Sequence, residues 1–158
     1  MPHIHQTHSE QELDLCEDLM HRSEPFITLQ FSIDACKQAV RGDHKEVYIA
    51  TVEGEFAGFV VIQLYGVLRG YIQTICIAPE HRSKGIGTLL IRHCEERISK
   101  ISPNVFMCVS SFNDRARKLY YSLGYEKVGE LKDHIVKGYD EYLLRKSKGA
   151  WRGFVAEG

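Results

Sequence analysis

The feature that most restricts what this chain can become is the run Ile75-Cys-Ile-Ala-Pro-Glu-His-Arg-Ser-Lys-Gly-Ile-Gly-Thr88, a strand-like segment that stops at a proline, turns through two glycines and enters an apolar helix. A strand that feeds a helix through glycine brings the unpaired N–H groups of the helix's first turn to a place where a ligand can approach the backbone closely. The positive end of the helix dipole lies there too, so the turn reads as an anion site, supplemented by the charges of Arg82 and Lys84. Glycine in such a turn has a purely conformational explanation as well, a backbone with positive φ, so the turn alone does not name its ligand. Two nucleotide motifs are excluded: a P-loop needs a Gly-Lys-Ser/Thr ending, and a dinucleotide fingerprint needs a third glycine, whereas Gly87 is followed by Thr88-Leu89-Leu90.

Periodicity around the turn gives a mixed α/β order. Pro2 to His8 reads as a short strand, and Ser9 with Glu12 as a capping box opening a helix that buries Leu13, Cys16, Leu19 and Met20. A loop with Pro25 and Phe26 follows, then a helix capped by Ser32 and running to about Val40. Val47 to Val52 and Phe56 to Tyr65 form a hairpin about Gly54, and Tyr71 to Ala78 is the next strand. Beyond the glycine turn, Ile86, Leu89, Leu90, Cys94, Ile98 and Ile101 recur at helical spacing and define an inner face. Val105 to Val109 is a strand, Asn113 to Leu123 a helix ended by Gly124, and Tyr125 to Leu131 and Tyr139 to Leu144 are the last two strands. A helix joining the two central strands makes that pair parallel.

The length of 158 residues and 44% hydrophobic content suit a single domain over 1–158 with one enclosed core. A net charge of −1 gives no overall field toward nucleic acid or membrane, so neither is expected as a partner and any anion site must be local. Five scattered cysteines, Cys16, Cys36, Cys76, Cys94 and Cys108, suit a reducing compartment better than a disulfide framework. With no apolar leader or membrane span legible, the expected location is the cytoplasm.

Three blocks together resemble the GCN5-related N-acetyltransferases (GNAT). Arg82-x-x-Gly85-x-Gly87 is similar to that family's [RQ]-x-x-G-x-[GA]; Asn113-x-x-Ala116-x-x-Leu119-Tyr120-x-x-x-Gly124-Tyr125 is similar to its next block; and Gly138 to Lys146 resembles its closing strand. The resemblance spans roughly residues 47–146. It implies the GNAT fold, an α/β (α+β) arrangement with a mixed sheet of six to seven strands, about four flanking helices and splayed central parallel strands. It also implies acetyl-CoA as cosubstrate and an amine as acceptor, in a monomer or homodimer, with no metal. The diphosphate would rest on the amides of Arg82, Ser83, Lys84, Gly85, Ile86, Gly87 and Thr88; Ile75 and Ile77 would pair with the pantetheine arm; Asn113 and Arg117 would hold the cofactor from the other side.

The implied chemistry is direct attack of a neutral amine on the thioester. It asks for an oxyanion donor, for which the N–H of Cys76 or Ile77 is the simplest choice, and for an acid near the departing sulfur. Tyr120 has the register of that acid, although an aromatic on an amphipathic helix is otherwise unremarkable. The usual glutamate base is missing: Tyr71 stands in its place, within a run similar to that of some protein N-terminal acetyltransferases, and Cys108 stands where their histidine falls. A phenol with a pKa near 10 is a poor base at neutral pH, so Tyr71 is expected to work through water or to position the amine. The acceptor is left open among small-molecule amines, protein N-termini and lysine, with His21 to Phe31 and Lys132 to Tyr139 as the selective segments and Glu24 and Asp133 as acidic candidates. A non-catalytic acetyl-CoA sensor is the alternative of a different class. His3, His5 and His8 read as exposed strand histidines, and the tail with Trp151 and Phe154 covers an apolar edge, joins a partner or is disordered.

Overall fold

In the computed structural model, residues 1–156 are described. The strands are β1 Pro2–Gln6, β2 Lys45–Val52, β3 Glu55–Gln63, β4 Tyr71–Ile77, β5 Asn104–Ser110, β6 Glu126–Leu131 and β7 Glu141–Ser147. The α-helices are α1 Glu10–His21, α2 Ile33–Ala39, α3 Ile86–Ile98 and α4 Asp114–Ser122. The strands form one open sheet in the order β1-β2-β3-β4-β5-β7-β6. Every neighbouring pair is antiparallel except β4 and β5, the pair that α3 joins as a crossover.

Helices cover both faces of the sheet. On one, Ile86, Leu90, Ile91, Cys94 and Ile98 of α3 and Tyr120 of α4 pack on Val60, Ile62, Ile72, Met107 and Leu144. On the other, Leu13, Cys16, Leu19 and Met20 of α1 and Cys36 of α2 pack on Ile49, Phe59, Val61 and Cys76. Alternate residues of a strand point to opposite faces, which is why Phe59 and Val61 join one cluster while Val60 and Ile62 join the other.

Two local expectations need correction. Leu89 is 44% exposed while Ile91 is fully buried; the inner face of α3 runs through 86, 90, 91, 94 and 98, and the helix turns Leu89 outward. Ser9 caps α1 by accepting from Glu12 N at 3.3 Å, but Glu12 does not return the bond to Ser9. Its carboxylate bonds Thr7 Oγ1 and His5 Nε2, both at 2.7 Å, and Thr7 Oγ1 accepts from Ser9 N at 3.1 Å. The box is closed through a threonine relay that also ties β1 to α1. Trp151 of the tail lies against the Arg69 guanidinium, 4.4 Å from ring centre to Cζ. No helix among the described residues is long and apolar enough to cross a membrane.

Candidate active site

β4 and β5 are hydrogen-bonded neighbours over only two rungs, Tyr71 with Phe106 and Ile72 with Met107. Past that point they part. The cause is visible on the other side of β4, where the register to β3 shifts between Val61↔Thr74 and Ile62↔Ile72, leaving Gln73 as a surplus residue. Such a bulge bends and twists its strand. Gln73 is held in place by donating to Ala39 O at 2.9 Å and accepting from Gln63 Nε2 at 2.5 Å. The parted strands open into a cleft of about 780 Å³ that reaches from the glycine turn to the α1–α2 loop.

Ladder parity settles which amides of β4 face the gap. Ala78 N donates to Ala57 O at 2.8 Å, and hydrogen-bonded pairs alternate along an antiparallel ladder, so Cys76 and Thr74 direct their main-chain groups at β3. Ile75 and Ile77 direct theirs into the gap. Of the two amides expected to serve an oxyanion, that of Cys76 is therefore spent on Phe59, and Ile77 supplies the available one. The Ile77 carbonyl accepts from Arg82 Nε at 3.0 Å, which fixes the turn to the end of β4.

At the turn, Gly85 is the N-cap of α3 with φ +82°, and no side chain caps the helix. The first intrahelical bond, Leu89 N to Gly85 O, leaves the N–H groups of Ile86, Gly87 and Thr88 without intrahelical partners. Those residues, with Arg82 and Ser83, line the cleft. An empty cap made of free amides is a donor set suited to a diphosphate. Lys84 and Arg117, expected among the cofactor contacts, do not line the cleft. Lys84 Nζ folds back to Glu80 O at 3.0 Å, and Arg117 pairs with Asp114 and lies over the Tyr142 ring. Arg115, which the sequence did not single out, lines the cleft and bonds the Ser83 hydroxyl. Its position in the first turn of α4, two residues after Asn113, was the available signal.

Asn113 lines the cleft while capping α4, its Oδ1 accepting from Ala116 N at 3.3 Å. Tyr120 is 7% exposed and also reaches the cleft. Burial, with a smaller contribution from nearby Cys76, pushes its phenol well above the ordinary value, so it stays protonated at neutral pH. Burial likewise pushes the Cys76 thiol up to about 12, which leaves it an inert apolar group. Tyr71 is raised too, by burial first and then by the neighbouring Cys108. A phenol so raised is not a base at neutral pH; it is a neutral hydrogen-bonding group.

The end of the cleft at the α1–α2 loop is walled by Phe26, Ile27, Leu29 and Ile135. Glu24 lines it with Oε2 accepting from Thr28 Oγ1 at 2.7 Å. Asp133 does not; it accepts from Gly138 N at 2.7 Å and shapes the β6–β7 loop. A second carboxylate in the lining, Glu141, was not anticipated.

Residues 6–125 match the acetyltransferase (GNAT) family. The chain belongs to that family. The free amides at the glycine turn and the parted strands agree with that membership. Among the GNAT relatives is an N-alpha-acetyltransferase of Sulfurisphaera tokodaii, 26% identical over 61% of this chain; the match spans 66% of that relative, just under two thirds of its length. Arabidopsis thaliana NAA60, solved with a bisubstrate analogue, is 20% identical with a TM-score of 0.76, covering 95% of this chain and 100% of that one. An aminoglycoside 6'-N-acetyltransferase complexed with coenzyme A gives 0.73 at 15% identity, covering 92% and 96%. These two share the GNAT fold with the chain.

Proposed function

We propose that the chain transfers acetyl from acetyl-CoA directly to the α-amine of a peptide or protein N-terminus. The observation that carries this reading is the contrast between the two ends of the cleft: free amides and Arg82 and Arg115 at the donor end, an apolar wall with only two carboxylates, Glu24 and Glu141, at the acceptor end. An acceptor with one ammonium followed by an apolar side chain suits that wall, whereas a polyamine or aminoglycoside with several ammonium groups calls for more negative charge than two carboxylates supply. The N-alpha-acetyltransferase relative supports the same choice.

In this reading the amides of Ile86, Gly87 and Thr88 hold the diphosphate, Ile75 and Ile77 line the pantetheine arm, and Asn113 steadies it from β5's side of the gap. The Ile77 N–H stabilises the oxyanion as the amine adds to the thioester carbon. Tyr120 supplies the proton to the departing sulfur. Five thiols, none of them in a disulfide, favour a reducing compartment such as the cytoplasm.

The test is release of free thiol from acetyl-CoA with a panel of peptides of different N-terminal residue, N-blocked lysine peptides, polyamines and aminoglycosides. Turnover confined to peptides with a free α-amine supports the reading. Preference for a polyamine or aminoglycoside replaces the acceptor, and coenzyme A binding without turnover of any amine would favour a sensor.

A further inference from the structure

Glu141 is 6% exposed, and none of the ion pairs among the described residues includes it. A carboxylate that buried and without a cation is costly unless its remaining lone pairs are filled. Ser110 Oγ donates to Oε2 at 2.5 Å. Oε1 has no donor among the described residues, yet it is not among their buried orphan atoms, His81 Nδ1 and Arg117 Nε; it opens on the cleft that Glu141 lines.

Strand parity explains how this group reaches the gap. Tyr142 and Leu144 pack with the α3 and α4 core, so Glu141 points to the opposite face of β7. Met107 and Val109 do the same on β5, which sends Cys108 and Ser110 to that face, and Ile72 on β4 sends Tyr71 there. Ser110 and Glu141 are direct partners across β5 and β7. Four polar side chains from three strands thus meet beside the point where β4 and β5 separate. The titratable groups facing Glu141 are Tyr71, Cys108 and, from the β6–β7 loop, His134.

We propose that Glu141 is the catalytic carboxylate that receives the acceptor's ammonium at Oε1 and takes the proton it must lose. The inference rests on the acceptor reading above and adds its base. The ammonium gives up one proton to Glu141 and becomes a neutral amine; the nitrogen lone pair then forms the C–N bond. As the C–S bond breaks, the sulfur takes a proton from Tyr120, the second nitrogen proton restores the Tyr120 phenol, and Glu141 releases its own proton to solvent through the cleft. Tyr71, a neutral phenol, orients the amine. Burial raises the Glu141 carboxyl above its ordinary value, with Ser110 and His134 opposing, which moves it toward an α-amine's pKa of about 8.

The experiment compares wild type with Glu141→Gln, an isostere that keeps an acceptor for Ser110, across pH 5–10. The expected result is a loss of about 100-fold or more in kcat/KM for the amine at pH 7, unchanged acetyl-CoA affinity by calorimetry, and a deficit that shrinks toward pH 10 as solution amine deprotonates unaided. An unchanged rate, or a loss equal at every pH, overturns the proposal. Glu141→Asp, which keeps the charge, should retain the wild-type pH profile at a lower rate, and melting curves of both variants separate misfolding from lost chemistry. If wild type itself acetylates none of the amines, the acceptor reading has failed. Carbon-13 glutamate spectra of wild type minus Glu141→Gln then decide on Glu141: a carboxyl titrating above the ordinary range and shifting on addition of a free amino-terminal peptide supports it, and ordinary titration without response refutes it.

Discussion

A Cβ placed on Gly58 would lie 2.6 Å from the carbonyl oxygen of Cys76 and 2.9 Å from Ile77 Cδ1, so β3 and β4 touch more closely than any side chain permits. That approach seats the strand whose other edge faces the gap. Gly58→Ala must therefore push on main chain that cannot yield. Its expected cost is about 1–3 kcal/mol of stability, and coenzyme A affinity should fall with it because Ile75 and Ile77 move together with β4. Chemical denaturation and calorimetry check the two effects on one preparation.

Gly85 sits in the left-handed region with open space around it, nothing lying within 4 Å of an added Cβ. The penalty of Gly85→Ala is thus conformational, about 1–2 kcal/mol, and it falls on the amides of the cradle. Coenzyme A should bind about tenfold more weakly in calorimetry, and the melting temperature should fall by about 2–8 °C. Equal affinity would show that the cap conformation is not part of the diphosphate site.

Tyr120→Phe removes one hydroxyl from a packed position and little else. The expected outcome is a drop in kcat of about 100-fold with the KM for acetyl-CoA nearly unchanged, measured by steady-state thiol release. A KM effect without a kcat effect would recast Tyr120 as a binding group.

Glu95 joins three elements: Lys146 of β7, Arg92 of its own helix and Tyr125 after α4 each bond it at 2.9 Å. Burial alone pushes its carboxyl up; the three bonds outweigh burial and hold it below its ordinary 4.5. A folded-state pKa that is depressed means stabilisation in full above the ordinary value and lost as pH falls through the lowered one. Glu95→Gln should accordingly cost about 2 kcal/mol at pH 7, and the gap to wild type should close as pH falls past the ordinary carboxylate value and through the lowered one. Thermal melts at pH 7, 5 and 3.5 test the sign.

Much of this site is legible in the chain because it is local. The turn from Arg82 to Thr88 and the spacing from Asn113 to Tyr120 each lie within one helix and its approach, so motif and periodicity reach them. Errors arise where a side chain's direction depends on more than spacing: Lys84 turns back on Glu80 and Arg117 on Asp114, while Arg115 faces the loop. Leu89 loses its inner position to Ile91 for the same reason. Glu141 lies beyond such reasoning altogether, since its place depends on β7 inserting between β5 and β6. The surplus residue Gln73, which no hydrophobic alternation reveals, sets the side from which Cys76 is seen and withdraws its amide from the gap.

The opening between β4 and β5 passes through the thickness of the sheet, with the amide cradle and Tyr120 on the α3 and α4 side and Tyr71 with Glu141 on the other. In the proposed function, donor and acceptor then approach from opposite directions, and neither need leave before its counterpart arrives. Kinetically, that geometry calls for a ternary complex: double-reciprocal plots at several fixed amine concentrations should intersect, and no acetylated protein should accumulate when acetyl-CoA is supplied alone.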